Sequence, residues 1–313
     1  MHPNIPLDKQ LKEQGVFIEK SVISIGTFDG VHLGHQALLN TLSAVAKKNN
    51  APSIAIVFKN APRSIINKDN NVNYLCPLEE RVRLIKSYVD HVILIEFNRS
   101  IRNLSSTEFL NTLRNHIGAT SLVAGENARI GYDQKQIKEL VTDHETNCAI
   151  EIIPIQIKLY KSTRYSSSNI RSAITKGQFL ETKDLLGRYY KLEGQVVRGH
   201  ERGRLLGFPT ANIKPEKKLL IPGTGIFACV AQIDDNSHPA TTSIGYNPTF
   251  EPAGKLTVES HISDFDGDLY GRKIGLIFVQ KLRDEIKFHS EEELIEQMKL
   301  DICQSKKIVV SIY

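Results

Sequence analysis

The chain has 313 residues, enough for about two domains, with 41% hydrophobic and 24% charged residues, so whole-chain disorder is excluded. Its mean hydropathy is −0.24, and it contains no apolar run long enough for a membrane span and no apolar core for an N-terminal signal. The net charge of +5 comes without a basic run, which speaks against a nucleic-acid partner and suits phosphate-bearing small molecules.

Short β-rich runs alternate with helical patterns between residues 21 and 180. Ser21–Ile25, Ser53–Phe58 and His91–Phe97 read as strands, as do Ser121–Ala124 and Ala149–Ile155. Gly34–Asn49 and Leu78–Val89 read as helices, and Ser105 with Glu108 forms a capping box opening another. This order predicts a doubly wound α/β domain over 1–186. From 187 to 313 strand-like runs follow one another: Gly194–Arg198, Phe227–Ile233, Ala240–Gly245, Leu256–Ile262 and Lys273–Arg283. They predict a small antiparallel β-barrel, followed by a helix capped by Ser290 with Glu293. The apolar tail IVVSIY reads as strand-like and has no assigned place. Gly223–Ala228 matches a dinucleotide fingerprint by spacing, but it precedes a strand and reads as a turn. The four scattered cysteines, Cys76, Cys148, Cys229 and Cys303, form no CxxC pair, so they are expected to be reduced thiols in a cytosolic protein.

The most informative stretch is GTFDGVHLGH, Gly26–His35, where the first strand ends and the first long helix begins. Strand C-termini and helix N-termini are natural phosphate sites, and Gly26, Gly30 and Gly34 let backbone approach a nucleotide. His32 and His35, three residues apart, can face one side of the first turn and donate hydrogen bonds to phosphate oxygens. In the second half, Gly194–Asn212 reads GQVVRGHERGRLLGFPTAN, with Gly199, Gly203 and Gly207 spaced by arginines. Such a loop can fold over phosphates. Thr210 and Asn212, two apart on an extended segment, offer oxygen ligands suited to Mg²⁺ carried by phosphates.

GTFDGVHLGH resembles the H-x-G-H signature of nucleotidyltransferases and, at full length, the N-terminal module of prokaryotic bifunctional riboflavin kinase/FMN adenylyltransferases (FAD synthetases). SSSNIR, Ser166–Arg171, is similar to that family's S-S-T-x-I-R. The string ending in PTAN resembles the riboflavin kinase module, as do GYNPTF, VESHI, DFDGDLYG and LRDEIKF. The resemblance implies ATP as co-substrate and FMN and FAD as products. It implies nucleotide contacts from Gly26, Thr27, Phe28, Asp29, Gly30, Gly34, Ser166, Ser167, Ser168 and Arg171 at one site. It implies the same from Gly199, Gly203, Arg204, Gly207 and Pro209 at the other. His32 and His35 take the adenylyl-transfer role, Glu259 that of general base for the ribityl hydroxyl, Thr210 and Asn212 that of Mg²⁺ ligands, and Asn127 and Arg283 that of flavin contacts.

Two segments depart from the family pattern. Phe58–Pro62 reads FKNAP where F-x-P-x-P is usual, and Gly125–Gly131 reads GENARIG, with Ala128 and Ile130 in place of aromatics. A second reading is therefore a riboflavin kinase whose adenylyl transfer is weakened or lost through poorer flavin binding.

Overall fold

Strand β1 (Ser21–Gly26) and strand β2 (Ser53–Phe58) carry apolar side chains buried on both faces, the pattern of a parallel sheet covered by helices. In this computed structural model they form the middle of a five-stranded parallel sheet with β3 (His91–Ile95), β4 (Ala119–Gly125) and a further strand over Glu151–Ile155. The structure describes all residues except 1–3, 16–17, 67–72, 143–149, 157–158, 161–162, 200–202, 204–205, 247–255 and 313. Arg204, Cys148 and the stretch 247–250 therefore lie outside the described residues.

The sheet order is β3-β2-β1-β4 and then Glu151–Ile155, so the winding direction switches between β1 and β4. One face is covered by α1 (Leu7–Glu13), and further along the chain by a helix over Ser106–Ile117, whose Phe109, Leu110 and Leu113 pack on Ile54, Ile56 and Leu122. The other face is covered by α2 (Leu33–Lys48), with Leu38, Leu39 and Leu42 set against Val22 and Ala55. Short helices α3 (Pro62–Ile66), α4 (Leu78–Lys86) and α5 (Arg99–Arg102) complete the connections up to the Ser106–Ile117 helix, α6. The capping box is realised there: Ser105 Oγ accepts from the Glu108 amide at 3.2 Å, and the Glu108 carboxylate accepts from the Ser105 amide at 2.8 Å. A two-stranded hairpin of β5 (Arg129–Ile130) and β6 (Lys135–Gln136) follows β4, then α7 (Ile137–Thr142) and the last sheet strand, β7. A second small hairpin pairs β8 (Leu159–Tyr160) with β9 (Thr163–Arg164).

The second unit is a closed six-stranded barrel. Its strands are β10 (Tyr190–Val197), β11 (Ala211–Pro215), β12 (Gly225–Ile233), β13 (Asn236–Tyr246), β14 (Leu256–Ile262) and β15 (Lys273–Arg283). They close in the order β10-β11-β14-β13-β12-β15, every pair antiparallel. The chain divides at Ser166/Ser167, twenty residues before the change of texture at 186/187. The reason lies in α8 (Ser167–Thr175) and α9 (Phe179–Leu186), which belong with the barrel. Phe179 stacks on Phe278 at 5.0 Å and meets Phe227 edge-on at 5.6 Å. Asn73–Cys76 also belongs to this unit: the Tyr74 amide donates to Lys218 O, and the Leu220 amide donates to Tyr74 O.

The C-terminal helix α10 spans Glu291–Val310, capped by Ser290 as its sequence predicts, and packs on β12, β13 and β15. It also takes in Ile308–Val310, which corrects the strand-like reading of the tail. Burial of Val309 against Val230 and Val279 overrides the β-preference of those residues. Gly223–Ala228 enters barrel strand β12, as the turn reading requires.

Candidate active sites

In the first unit, Gly26 ends β1, and Phe28, Gly30 and Val31 all take positive φ, at 50°, 78° and 39°, in the turn before α2. Left-handed backbone at a buried β-branched valine is costly and is characteristic of functional loops. The turn is held from below by Arg81 of α4, only 2% exposed, which donates to the carbonyls of Thr27 at 2.8 Å and Lys59 at 3.1 Å. That buried guanidinium thereby ties the ends of β1 and β2 together. Its sequence signal was a charged residue between Leu78 and Ile85 on the apolar stripe of a helix.

His32 is the N-cap of α2: its Nδ1 accepts the backbone N–H of His35 at 3.3 Å. In the neutral ring this assigns the proton to Nε2, a hydrogen-bond donor. His32 and His35 stack at 3.6 Å, and Phe28 meets His35 edge-on at 5.3 Å. A Cβ on Gly34 would come within 2.9 Å of Tyr165 and 3.2 Å of the His32 ring, so the glycine between the histidines makes room for the stack. Asp29 is buried beside them.

Burial, and then the adjacent His32, hold the His35 pKa well below the ordinary histidine value. Native His35 thus stays neutral while the unfolded chain gains a proton below about pH 6.5. Stability is therefore complete above that pH and falls as pH drops toward the native pKa, by at most about 1.4 kcal/mol per pH unit. Between pH 7.5 and 5.5, hydrogen exchange of β1 and β2 amides should show a larger stability loss in the unaltered chain than in His35→Gln. Equal losses would contradict the assignment.

A cavity of about 610 Å³ opens at Gly26 and Thr27, over the C-terminal ends of β1, β2 and β4 at the switch point. Phe58, Phe97, Phe109 and Leu122 line it. The altered FKNAP segment supports this wall. The Asn60 amide donates to Phe97 O and its carbonyl accepts from the Phe97 amide, both at 2.8 Å, which sets the Phe97 ring edge-on to Phe58 at 5.4 Å. Ala128 and Ile130 also border the cavity, whereas Asn127 is exposed and donates to Glu126 at 3.3 Å. Ser166 ends the first unit, and Ser167, Ser168 and Arg171 open α8 in the second, where Arg171 Nε donates to Asn73 O at 2.8 Å.

In the barrel, Glu259 stands directly opposite Asn212 of β11 and Ser243 of β13, so the three side chains share one face. The Thr210 hydroxyl donates to Glu259 Oε2 at 3.5 Å. His261, next along that face, meets the Pro209 carbonyl at 3.0 Å through Nδ1. The glycine loop passes close by: a Cβ on Gly199 would strike the Asn212 amide at 2.1 Å, and one on Gly203 the Phe208 carbonyl at 2.5 Å. Gly207 has φ +86° and open space around it. Thr210, Glu259 and Arg283 line a cavity of about 300 Å³ between this face and α10. Arg283 is committed to the helix, its Nη2 donating to the buried Asp301 carboxylate at 2.7 Å and its Nε at 3.1 Å. Glu285 also lines the cavity, its carboxylate lying over Gly245, where a Cβ would meet Oε1 at 2.0 Å. Thr210 and Asn212 are oxygen donors of the kind Mg²⁺ takes. Among the described residues no group of three or more His, Cys, Asp or Glu is arranged to hold a metal ion.

A riboflavin kinase model matches residues 186–309, and a FAD synthetase model matches residues 16–169. A bifunctional riboflavin kinase/FMN adenylyltransferase of Listeria monocytogenes is 34% identical over 90% of this chain and 90% of its own. The protein of that description from Escherichia coli is 32% identical over 90% and 91%. A crystal structure described as a macrolide-efflux protein from Streptococcus pneumoniae superposes with a TM-score of 0.86 at 29% identity, over 96% of this chain and 98% of that one. Among the described residues no helix is long and apolar enough to cross a membrane. Two matched modules in one chain, and similarity running through nearly its whole length, place this protein in the bifunctional riboflavin kinase/FMN adenylyltransferase family.

Proposed function

We propose that this chain phosphorylates riboflavin to FMN with ATP at the barrel site and adenylylates FMN to FAD, releasing pyrophosphate, at the α/β site. The observation that carries the second activity is the aromatic-lined cavity at Gly26 and Thr27, the residues that lead from β1 into the histidine turn. It favours two activities over a kinase alone, because Phe58, Phe97 and Phe109 supply ring contacts despite Ala128 and Ile130.

At the barrel, Glu259 accepts the proton of the ribityl 5′-hydroxyl as its oxygen attacks the γ-phosphorus of ATP and ADP leaves. Gly199, Gly203 and Gly207, with Pro209 and Arg204, cover the phosphates. Thr210 and Asn212 would hold Mg²⁺, which would supply charge neutralisation there. At the α/β site, a phosphate oxygen of FMN attacks the α-phosphorus of ATP. His32, through Nε2–H, and His35 donate to the phosphate oxygens as charge develops, and the free N–H groups of α2 add to that field. The family resemblance gives Ser166, Ser167, Ser168 and Arg171 the role of triphosphate contacts. We place the enzyme in the cytosol, acting on small molecules without a nucleic-acid or membrane partner.

Product analysis with riboflavin and then FMN as the sole flavin tests this. FAD from FMN is the expected result, and FMN accumulation without FAD would restore the kinase-only reading. Thr210→Ala should raise the Mg²⁺–ATP requirement of FMN formation by about tenfold, through loss of one oxygen ligand. FAD formation from supplied FMN should be unchanged, and equal loss of both activities would contradict the two-site division.

A further inference from the structure

Tyr132 is a large aromatic that contributes little to the core. It is 65% exposed, yet it lines the cavity of the first unit beside Arg129 and Ile130. An exposed ring is ordinarily mobile and needs no explanation. This one sits on a braced mount. Its amide donates to Leu104 O at 2.9 Å. The preceding Gly131, at φ +74°, lies so close to the start of α6 that a Cβ would fall 2.2 Å from the Ser106 nitrogen. The following Asp133 accepts from the Ser106 amide at 2.9 Å and from its hydroxyl at 2.7 Å. Gln134 closes the turn, its side chain donating to Gly131 O at 2.9 Å. The β5–β6 hairpin therefore presents Tyr132 at the cavity on a backbone held on both sides. The cavity wall next to it carries small or aliphatic side chains at Ala128 and Ile130.

We propose that Tyr132 is a flavin-binding residue of the adenylyltransferase site, its ring packing on the isoalloxazine of FMN. This rests on the reading of that cavity as the FMN pocket. The ring takes the part that an aromatic at Ala128 or Ile130 would play, from the outer side of the cavity. Preorganisation of the hairpin lowers the ordering cost of that contact.

The test is steady-state FAD formation from FMN and ATP by the full chain carrying Tyr132→Ala or Tyr132→Phe. At this exposed position both variants should keep the wild-type melting temperature. Tyr132→Ala should raise KM for FMN about tenfold with kcat little changed, the size expected for one lost ring contact with its buried area. Tyr132→Phe should restore it, and KM for riboflavin in FMN formation should stay put in both. FAD formation by the unaltered chain with an unchanged FMN KM in Tyr132→Ala would overturn this proposal alone. No FAD formation by the unaltered chain would overturn the reading of the cavity, and the proposal with it.

Discussion

Glu259→Gln is expected to lower kcat for FMN formation by about 10²-fold or more, the range set by loss of a positioned general base. The variant retains the side-chain shape. Glutamine still accepts from Thr210 and still pairs across the barrel with Asn212 and Ser243, so β14 keeps its register and the fold its stability. What disappears is the ability to take up the hydroxyl proton. FAD formation from supplied FMN should be unaffected, because His32 and His35, the residues proposed for that chemistry, lie in the other unit. The decisive measurement is single-turnover FMN formation together with ATP binding. Ordinary ATP affinity with a collapsed chemical step supports the base. A kcat within about threefold of the unaltered chain would remove Glu259 from that role.

His32→Ala is expected to lower FAD formation by about 10²–10³-fold, the usual cost of deleting one preorganised donor from a phosphate or oxyanion site. The structure adds a complication, because the same ring caps α2. Losing a cap costs about 0.5–2 kcal/mol and could slacken the turn by itself. His32→Asn separates the two contributions. Asparagine is among the best N-caps and should restore stability, but its short amide does not reproduce the Nε2–H donor. Both variants should show that loss of FAD formation while only alanine lowers the unfolding midpoint of the first unit, and both should make FMN normally. An asparagine variant with substantial FAD formation would reduce His32 to a cap.

Periodicity and capping made much of the fold legible in advance. Ser53–Phe58, Leu256–Ile262 and Lys273–Arg283 are strands at the expected bounds. The Ser105–Glu108 capping box forms, and Ser290 caps α10 through the Glu293 amide, while the Glu293 carboxylate accepts from the His289 amide instead of that of Ser290. The signals there are local: a continuous apolar run, or a hydroxyl three residues before a carboxylate. The short helices α3 and α5 were not legible, nor was β11, because each is defined by what it packs on or pairs with. The site divides the same way. The histidine pair and the PTAN segment stand out as strings, whereas Asn60 acts through Phe97, residues apart in sequence but joined by two hydrogen bonds. The pattern at Ala128 and Ile130 suggested a weakened flavin pocket because a string shows which aromatics are absent. It does not show that Phe97 and Phe109 arrive from elsewhere.

The closed barrel also bears on how this enzyme can change over evolutionary time. In an open sheet an outer strand can shift by one residue, turning every side chain to the opposite face. Here a slip of β14 would have to be matched by β11 and β13 and then passed around all six strands. The row Asn212–Glu259–Ser243 is thus insulated from drift in the strands that carry it. Within the segment linking β10 to β11, Gly199 and Gly203 have no room for a side chain and Thr210 bonds Glu259, so change there is confined to the positions between these fixed points. Selection for a new phosphate donor or acceptor would have raw material at those positions, while the row proposed to carry the chemistry is inherited intact.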